Sequence, residues 1–171
     1  VAGYFRAEGQ GDRLVLAESP FFAEAGGQVG DAGRIAAVDG EFAFDVEETR
    51  RVGEVVVHLG RVLGSGTPPA AGLRVRAQVD RERRNRIQKN HTATHLLHQA
   101  LKEVLGAHAA QQGSYVGPDR LRFDFSHPKG LTPEEIEQIE ALVNRKVYEN
   151  PPVRTTVEDL ESAKARGVVA M

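Results

Sequence analysis

Asn90-His91-Thr92-Ala93-Thr94-His95-Leu96-Leu97-His98 is the stretch around which the chain is organised. On an α-helix, positions i, i+4 and i+7 share a face. His91, His95 and His98 then form one stripe, and Ala93, Leu97, Ala100, Leu101 and Val104 form an apolar stripe opposite. The spacing predicts a helix with a core side and a histidine side. Two imidazoles one turn apart can reach a single metal ion, and nitrogen ligands suit zinc. The same spacing also occurs on exposed faces that merely carry histidines. Thr92 stands where H-E-x-x-H has its Glu base, which argues against a metalloprotease.

Working outward, Asp80 is a natural cap for a helix running to about residue 105, with Gly106 as its stop. The first half of that helix is basic. Arg74, Arg76, Arg81, Arg83, Arg84, Arg86 and Lys89 make 74–89 either a solvated face or a phosphate-facing edge. Beyond it, Gln111-Gln112-Gly113-Ser114 leads into Tyr115-Val116, and 121–126 alternates as a strand with Leu121, Phe123 and Phe125 inward. Thr132-Pro133-Glu134-Glu135 starts a helix, with Thr as cap, Pro first and Glu three after the cap. Its expected core face is Ile136, Ile139, Val143 and Val147, and Asn150-Pro151-Pro152 ends it. A strand at 153–157 and a short helix at 159–166, stopped by Gly167, complete the pattern. Residues 80–171 thus read as an α+β domain with helices on one face of a sheet.

Residues 1–79 read as short strands at 4–6, 13–17, 34–38, 41–46, 55–59 and 73–79. The turn-rich stretch 8–12 joins the first pair, and Asp39-Gly40 is a strong hairpin signal. The stretch 64–72 is a polar, Pro-containing loop. Such strands suggest a small closed β-barrel. Within this part, residues 20–33 pack four glycines and two aromatics into one long connection. Glycine permits positive φ and close approach of a ligand, and connections of this length are often functional.

Composition sets outer bounds. The 171 residues carry a formal charge of −2, are 40% hydrophobic and include no cysteine. A core is affordable, disulfides and cysteine metal ligands are excluded, and no global basic signature marks a nucleic-acid binder. No run of ~18 apolar residues suggests a membrane span, and no signal peptide is visible. The start at Val1 and the apolar run 168–171 lead to the expectation of a piece cut from a larger cytoplasmic protein. His58, His108 and His127 are isolated in sequence and read as surface or structural residues.

Several of these stretches together resemble one family. Pro20-Phe21-Phe22-Ala23-Glu24-Ala25-Gly26-Gly27-Gln28-Val29-Gly30-Asp31 is similar to the Gly-rich motif that precedes the editing domain of alanyl-tRNA synthetases. The stretch 90–98 resembles their first zinc half-site, and Gln111-Gln112-Gly113-Ser114 and Leu121-Arg122-Phe123-Asp124-Phe125-Ser126-His127 resemble the segments that follow. The H-x-x-x-H element is shared with threonyl-tRNA synthetases; the other motifs point more narrowly to the alanyl enzymes and their free-standing editing relatives.

The resemblance implies a β-barrel over 1–79 and, over 80–171, the N-terminal portion of a two-layer editing domain of the threonyl/alanyl type. It implies hydrolysis of tRNA(Ala) wrongly charged with serine or glycine, because a pocket for alanine cannot exclude glycine by size and rejects serine poorly. Alanine activation with ATP would lie in a separate domain. His91 and His95 would be two of four zinc ligands; the family's other two lie in a Cys-x-x-x-His motif that this sequence lacks. Gln111 would lie in the pocket and sense the serine hydroxyl. Gly26, Gly27 and Gln28 would border it; from the basic run, not the resemblance, Arg83 and Arg84 are expected to bind substrate. The implied partners are the tRNA(Ala) acceptor end and the rest of the parent synthetase, with no membrane. Two alternatives stand beside this: a module that binds the tRNA acceptor end without chemistry, and a free-standing aminoacyl-tRNA editing protein.

Overall fold

The computed structural model describes residues 1–7, 11–64 and 67–167. The start of the expected turn 8–12, Ser65 and Gly66 of the loop 64–72, and the apolar run 168–171 lie outside the described residues. The chain divides into two compact units, Val1–Thr94 with Gly113–Phe123, and His95–Gln112 with the residues from Asp124 onward. The division between these units falls within the long helix.

The first unit contains β1 (Gly3–Ala7), β2 (Gly11–Val15), β3 (Gly33–Ala37), β4 (Ala43–Val52), β5 (Val55–Leu63) and β6 (Val75–Val79). They form a six-stranded sheet in the order β1-β2-β5-β4-β3-β6, every neighbouring pair antiparallel. This is the set of short antiparallel strands expected of the barrel region; β1 and β6 stand at the two ends of the order. The expected hairpin across Asp39-Gly40 pairs Ile35 with Phe44, and both side chains are fully buried. Leu14, Phe21, Ile35, Phe44 and Val46 make the core of the sheet.

Strand β4 runs six residues past the expected end at Val46 and turns at Gly53 into a longer β5. Glu47, Glu48, Arg50 and Arg51 hide this extension, because the alternation of apolar residues stops there. A bulge between Val46 and Glu48 shifts the register and turns Thr49 into the interior, fully buried.

Helix α1 (Arg81–Leu105) follows, as the cap predicts. Asp80 Oδ1 accepts from the Arg83 N–H at 3.0 Å, and Gly106, with φ 108°, ends the helix. Its buried line is Ile87, Thr94, His98 and Leu101. His98 therefore does not share the solvent-facing stripe of His91 and His95, which are exposed. At roughly 100° per residue, His98 falls between His91 and Thr94, on the edge where the buried line begins. Strands β7 (Gln111–Val116) and β8 (Leu121–Phe125) form a two-stranded sheet.

In the second unit, α2 (Pro133–Glu149) has the expected capping box in full. The Thr132 hydroxyl accepts from the Glu135 N–H at 3.2 Å, and the Glu135 carboxylate accepts from the Thr132 N–H at 2.8 Å. Of its expected core face only Ile139 is buried; Ile136 and Val147 are exposed. Residues 153–157 form no strand among the described residues. Val153 and Val157 are almost wholly exposed, and alternation without a partner strand leaves backbone groups to water. The expected short helix at 159–166 is α3 (Leu160–Ala165), with Asp159 as its N-cap.

Candidate functional site

The Gly-rich connection 20–31 is pinned in the first unit by its own backbone. Gly26 and Gly27, with φ 57° and 80°, make a two-residue turn closed by bonds between Ala25 and Gln28 of 3.2 and 2.9 Å. Positive φ at both central positions is what such a turn requires. A Cβ on Gly27 would come within 2.5 Å of the Ser114 carbonyl oxygen, so the turn can lie on β7 only without a side chain. Gln28 bridges to Val116, with Val29 N–H donating to Val116 O at 3.0 Å and Val116 N–H to Gly27 O at 2.8 Å.

The far end of the connection is held by charge. Asp31 is buried, and its carboxylate accepts from the Phe22 N–H at 2.6 Å and from Arg84 Nε at 3.1 and 3.2 Å, with Arg84 Nη2 also in contact. Arg84 Nη2 donates to Pro20 O at 2.7 Å, and Arg83 Nη1 donates to Gly30 O at 2.8 Å. A buried carboxylate is tolerable only when paired and hydrogen-bonded in this way. Arg83 and Arg84 thus fasten the start of α1 to the loop.

Farther along α1, Asn90 Nδ2 donates to Gly117 O at 2.8 Å. One residue on, His91 Nδ1 lies 2.5 Å from Gln28 Oε1. The first half of α1, the Gly-rich turn and the end of β7 are therefore tied by three kinds of contact: backbone bridges, arginine clamps and a glutamine–histidine pair. An open cleft of about 460 Å³ beside the turn is lined by Glu24, Gly26, Gly27, Arg50 and Arg51.

In the second unit His95 is exposed one helical turn after His91 in sequence, and Gln111 is exposed at the first position of β7. His98 is buried; burial first, then the neighbouring Lys102 and His95, push its imidazolium below the ordinary histidine range. His108 and His127, far apart in sequence, meet with Nε2 and Nδ1 2.9 Å apart, and the Ser126 hydroxyl donates to His108 O at 2.8 Å. Among the described residues no group of three or more His, Asp or Glu side chains could hold a metal ion.

Sequence reasoning singled out Gly26, Gly27, Gln28, Arg83, Arg84 and His91; the structure joins Gln28, at the end of the Gly26-Gly27 turn, to His91, and sets Arg83 and Arg84 against the same connection at Pro20, Gly30 and Asp31. It missed Asp31, Asn90 and the His108–His127 pair. The Asp31 signal was present: one acid in a Gly-rich connection, in a chain with an unbalanced basic run. The histidine pair had no local signal, because its members are 19 residues apart.

A family model for class II tRNA synthetases of the A type matches residues 5–83. Over 158 residues, 92% of this chain, the sequence is 49% identical to the alanine–tRNA ligase of Legionella pneumophila strain Corby. The alanine–tRNA ligases of the Philadelphia 1 and Lens strains match at the same identity over the same length. The chain spans 18% of the length of each of these relatives. At 49% identity over 92% of its length, the chain belongs to the alanine–tRNA ligase family of class II tRNA synthetases, as a segment of it.

Proposed function

We propose that this chain is the editing segment of an alanyl-tRNA synthetase, which hydrolyses the ester of tRNA(Ala) mischarged with serine or glycine. The observation that carries the reading is the union of the family's Gly-rich motif with its first histidine, through the Gln28–His91 contact. The chemical need is independent of it: one alanine pocket discriminates poorly against a smaller or near-isosteric amino acid, so a second, hydrolytic site is required.

In this reading His91 and His95 supply two imidazole nitrogens to zinc. Their residue type, exposure and one-turn spacing fit half of a four-ligand site. When bound, zinc supplies Lewis acidity or a fixed charge beside the ester. The protein's own residues do the rest. Gln111 hydrogen-bonds the serine hydroxyl, which alanine lacks. Arg83 and Arg84 keep the Gly26-Gly27-Gln28 turn at the substrate, and the basic half of α1 faces the acceptor-end phosphates. The working compartment is the cytoplasm, and among the described residues no helix is long and apolar enough to cross a membrane.

The test is a Gln111→His exchange in the full ligase, assayed for release of serine from seryl-tRNA(Ala). Loss of a good hydrogen bond to the substrate costs about 1–2 kcal/mol, so serine release is expected to slow roughly tenfold while alanine charging continues. Unchanged serine release removes Gln111 from the site.

A further inference from the structure

Strands β3 and β6 carry a cationic surface built on the sheet and not on α1. In their antiparallel pairing Arg34 lies opposite Gln78 and Ala36 opposite Arg76, and the Val38 N–H donates to Arg74 O at 3.0 Å. Opposed residues of such a pair lie on one face of the sheet, and every second residue along a strand shares it. Arg34, Arg74, Arg76 and Gln78 therefore share a face, and all four are exposed. The alternate set, Ile35, Val75, Ala77 and Val79, belongs to or packs against the core of the sheet. Burial of that set fixes the direction of the arginines.

Other arginines of the same unit are engaged. Arg6, Arg50, Arg61 and Arg84 each meet a carboxylate, and Arg83 donates to Gly30 O. Among the described residues the side chains of Arg34, Arg74 and Arg76 make no ion pair or hydrogen bond. Neither β3 nor β6 contains an acidic residue. The carboxylates nearby are already occupied. Asp45, opposite Arg34 on β4, and Glu47 are met by Arg61 at 3.4 and 3.7 Å, and Asp80 caps α1. Unbalanced positive charge on one face sets up a field that attracts a polyanion. Arg74 and Arg76, two residues apart on a strand, are separated by about 6.6 Å, on the order of one nucleotide step of an RNA backbone. The planar guanidinium fork suits phosphate oxygens. An open cleft of about 610 Å³, lined in part by Arg34 and Gln78, adjoins the face.

We infer that the outer face of β3 and β6 docks the phosphodiester backbone of tRNA, with Arg74 and Arg76 on successive phosphates and Arg34 beside them. The inference rests on that part of the proposed function in which the chain meets tRNA, and not on the hydrolytic step. It extends the phosphate contact from α1 onto the sheet and adds Arg34, which lies outside the basic run 74–89.

The experiment is equilibrium binding of uncharged tRNA(Ala) to the full ligase across a salt series. Arg74→Ala combined with Arg76→Ala should bind more weakly than wild type at low salt. Between about 50 and 200 mM salt each phosphate contact is worth about threefold, so that deficit should shrink about tenfold across the range. Arg74→Lys combined with Arg76→Lys keeps both charges and should keep the wild-type slope. Arg145→Ala combined with Arg166→Ala removes equal charge from arginines paired with Glu149 and Glu158, and should keep that slope too. Wild-type affinity and slope in the Arg74/Arg76 alanine variant overturn the inference and leave the face merely solvated. An equal loss of slope in the Arg145/Arg166 variant also overturns it, because the effect is then one of net charge. A lysine variant as weak as the alanine variant overturns it as well, because the strand and not its charge is then at fault. A wild-type ligase that binds tRNA(Ala) but releases no serine from seryl-tRNA(Ala) removes the editing reading and leaves the docking face standing.

Discussion

His58 illustrates how a single buried side chain couples the sheet to the Gly-rich connection. It is fully buried, with Nδ1 2.9 Å from Leu14 O and Nε2 2.7 Å from Ser19 Oγ, and its ring stands edge-on to Phe21. The carbonyl only accepts, so Nδ1–H donates to it and Nε2 accepts from the serine hydroxyl. Burial pushes the imidazolium below the ordinary range; the Leu14 carbonyl opposes this more weakly. The folded chain thus binds a proton at His58 less readily than the unfolded chain does. That stability is complete above about pH 6.5, the ordinary histidine value, and is lost as pH falls toward the lowered folded value. Urea midpoints measured from pH 7.5 down to pH 5 should therefore decline, and His58→Gln should flatten the decline. An equal slope in the variant would assign the acid sensitivity to another group. Sequence reading left His58 as surface or structural; the fold buries it, and its two partners, Leu14 in β2 and Ser19 in the connection after it, are 44 and 39 positions away. At the same scale, His91 was legible from spacing, whereas its contact with Gln28 spans 63 positions and was visible only once folded.

Elements were legible where local chemistry decides them. The capping box of α2 needs only Thr132, Pro133 and Glu135, and all three act as their spacing suggests. Thr132→Ala should cost about 1 kcal/mol, seen as faster amide exchange in the first turn of α2 with the β-sheet amides unchanged. Equal exchange in the variant would mean that packing, not the cap, holds the helix start. Asp80 and Gly106 likewise fix the ends of α1. Elements that depend on partners were less legible. The second half of β4 is polar, and only its pairing with β5 makes it a strand. Residues 153–157 have strand-like alternation and no pairing among the described residues. The helix α1 was legible as a helix, yet its buried line passes through His98, because Thr94 and His98 are polar residues on the interior side. Hydrophobic periodicity cannot reveal an interior face that carries a threonine and a histidine.

The described residues comprise a six-stranded antiparallel sheet, a two-stranded sheet, a 25-residue helix and two shorter helices, divided between two compact units. Its relatives are alanine–tRNA ligases, of which it spans 18%. The family was legible because its motifs lie in short runs, 20–31 and 90–98, that survive being read one at a time. The arrangement that gives those runs a purpose was not, since the arginine clamps cross 53 positions and involve backbone oxygens, which no motif encodes. The basic run is a case in point. Read alone it suggests a solvated face or a phosphate-facing edge; folded, Arg83 and Arg84 each bond the loop, while Arg81, Arg86 and Lys89 are exposed. The central claim is that the His91 helix and the Gly-rich turn serve an editing reaction separate from aminoacylation. The most direct measurement is hydrolysis of seryl-tRNA(Ala) by the full ligase, wild type against His91→Ala, with alanine charging followed in parallel. The account predicts that hydrolysis falls at least tenfold, the scale on which a lost metal-orienting contact already acts, while charging is preserved. Undiminished hydrolysis in His91→Ala, or loss of both activities together, would contradict it.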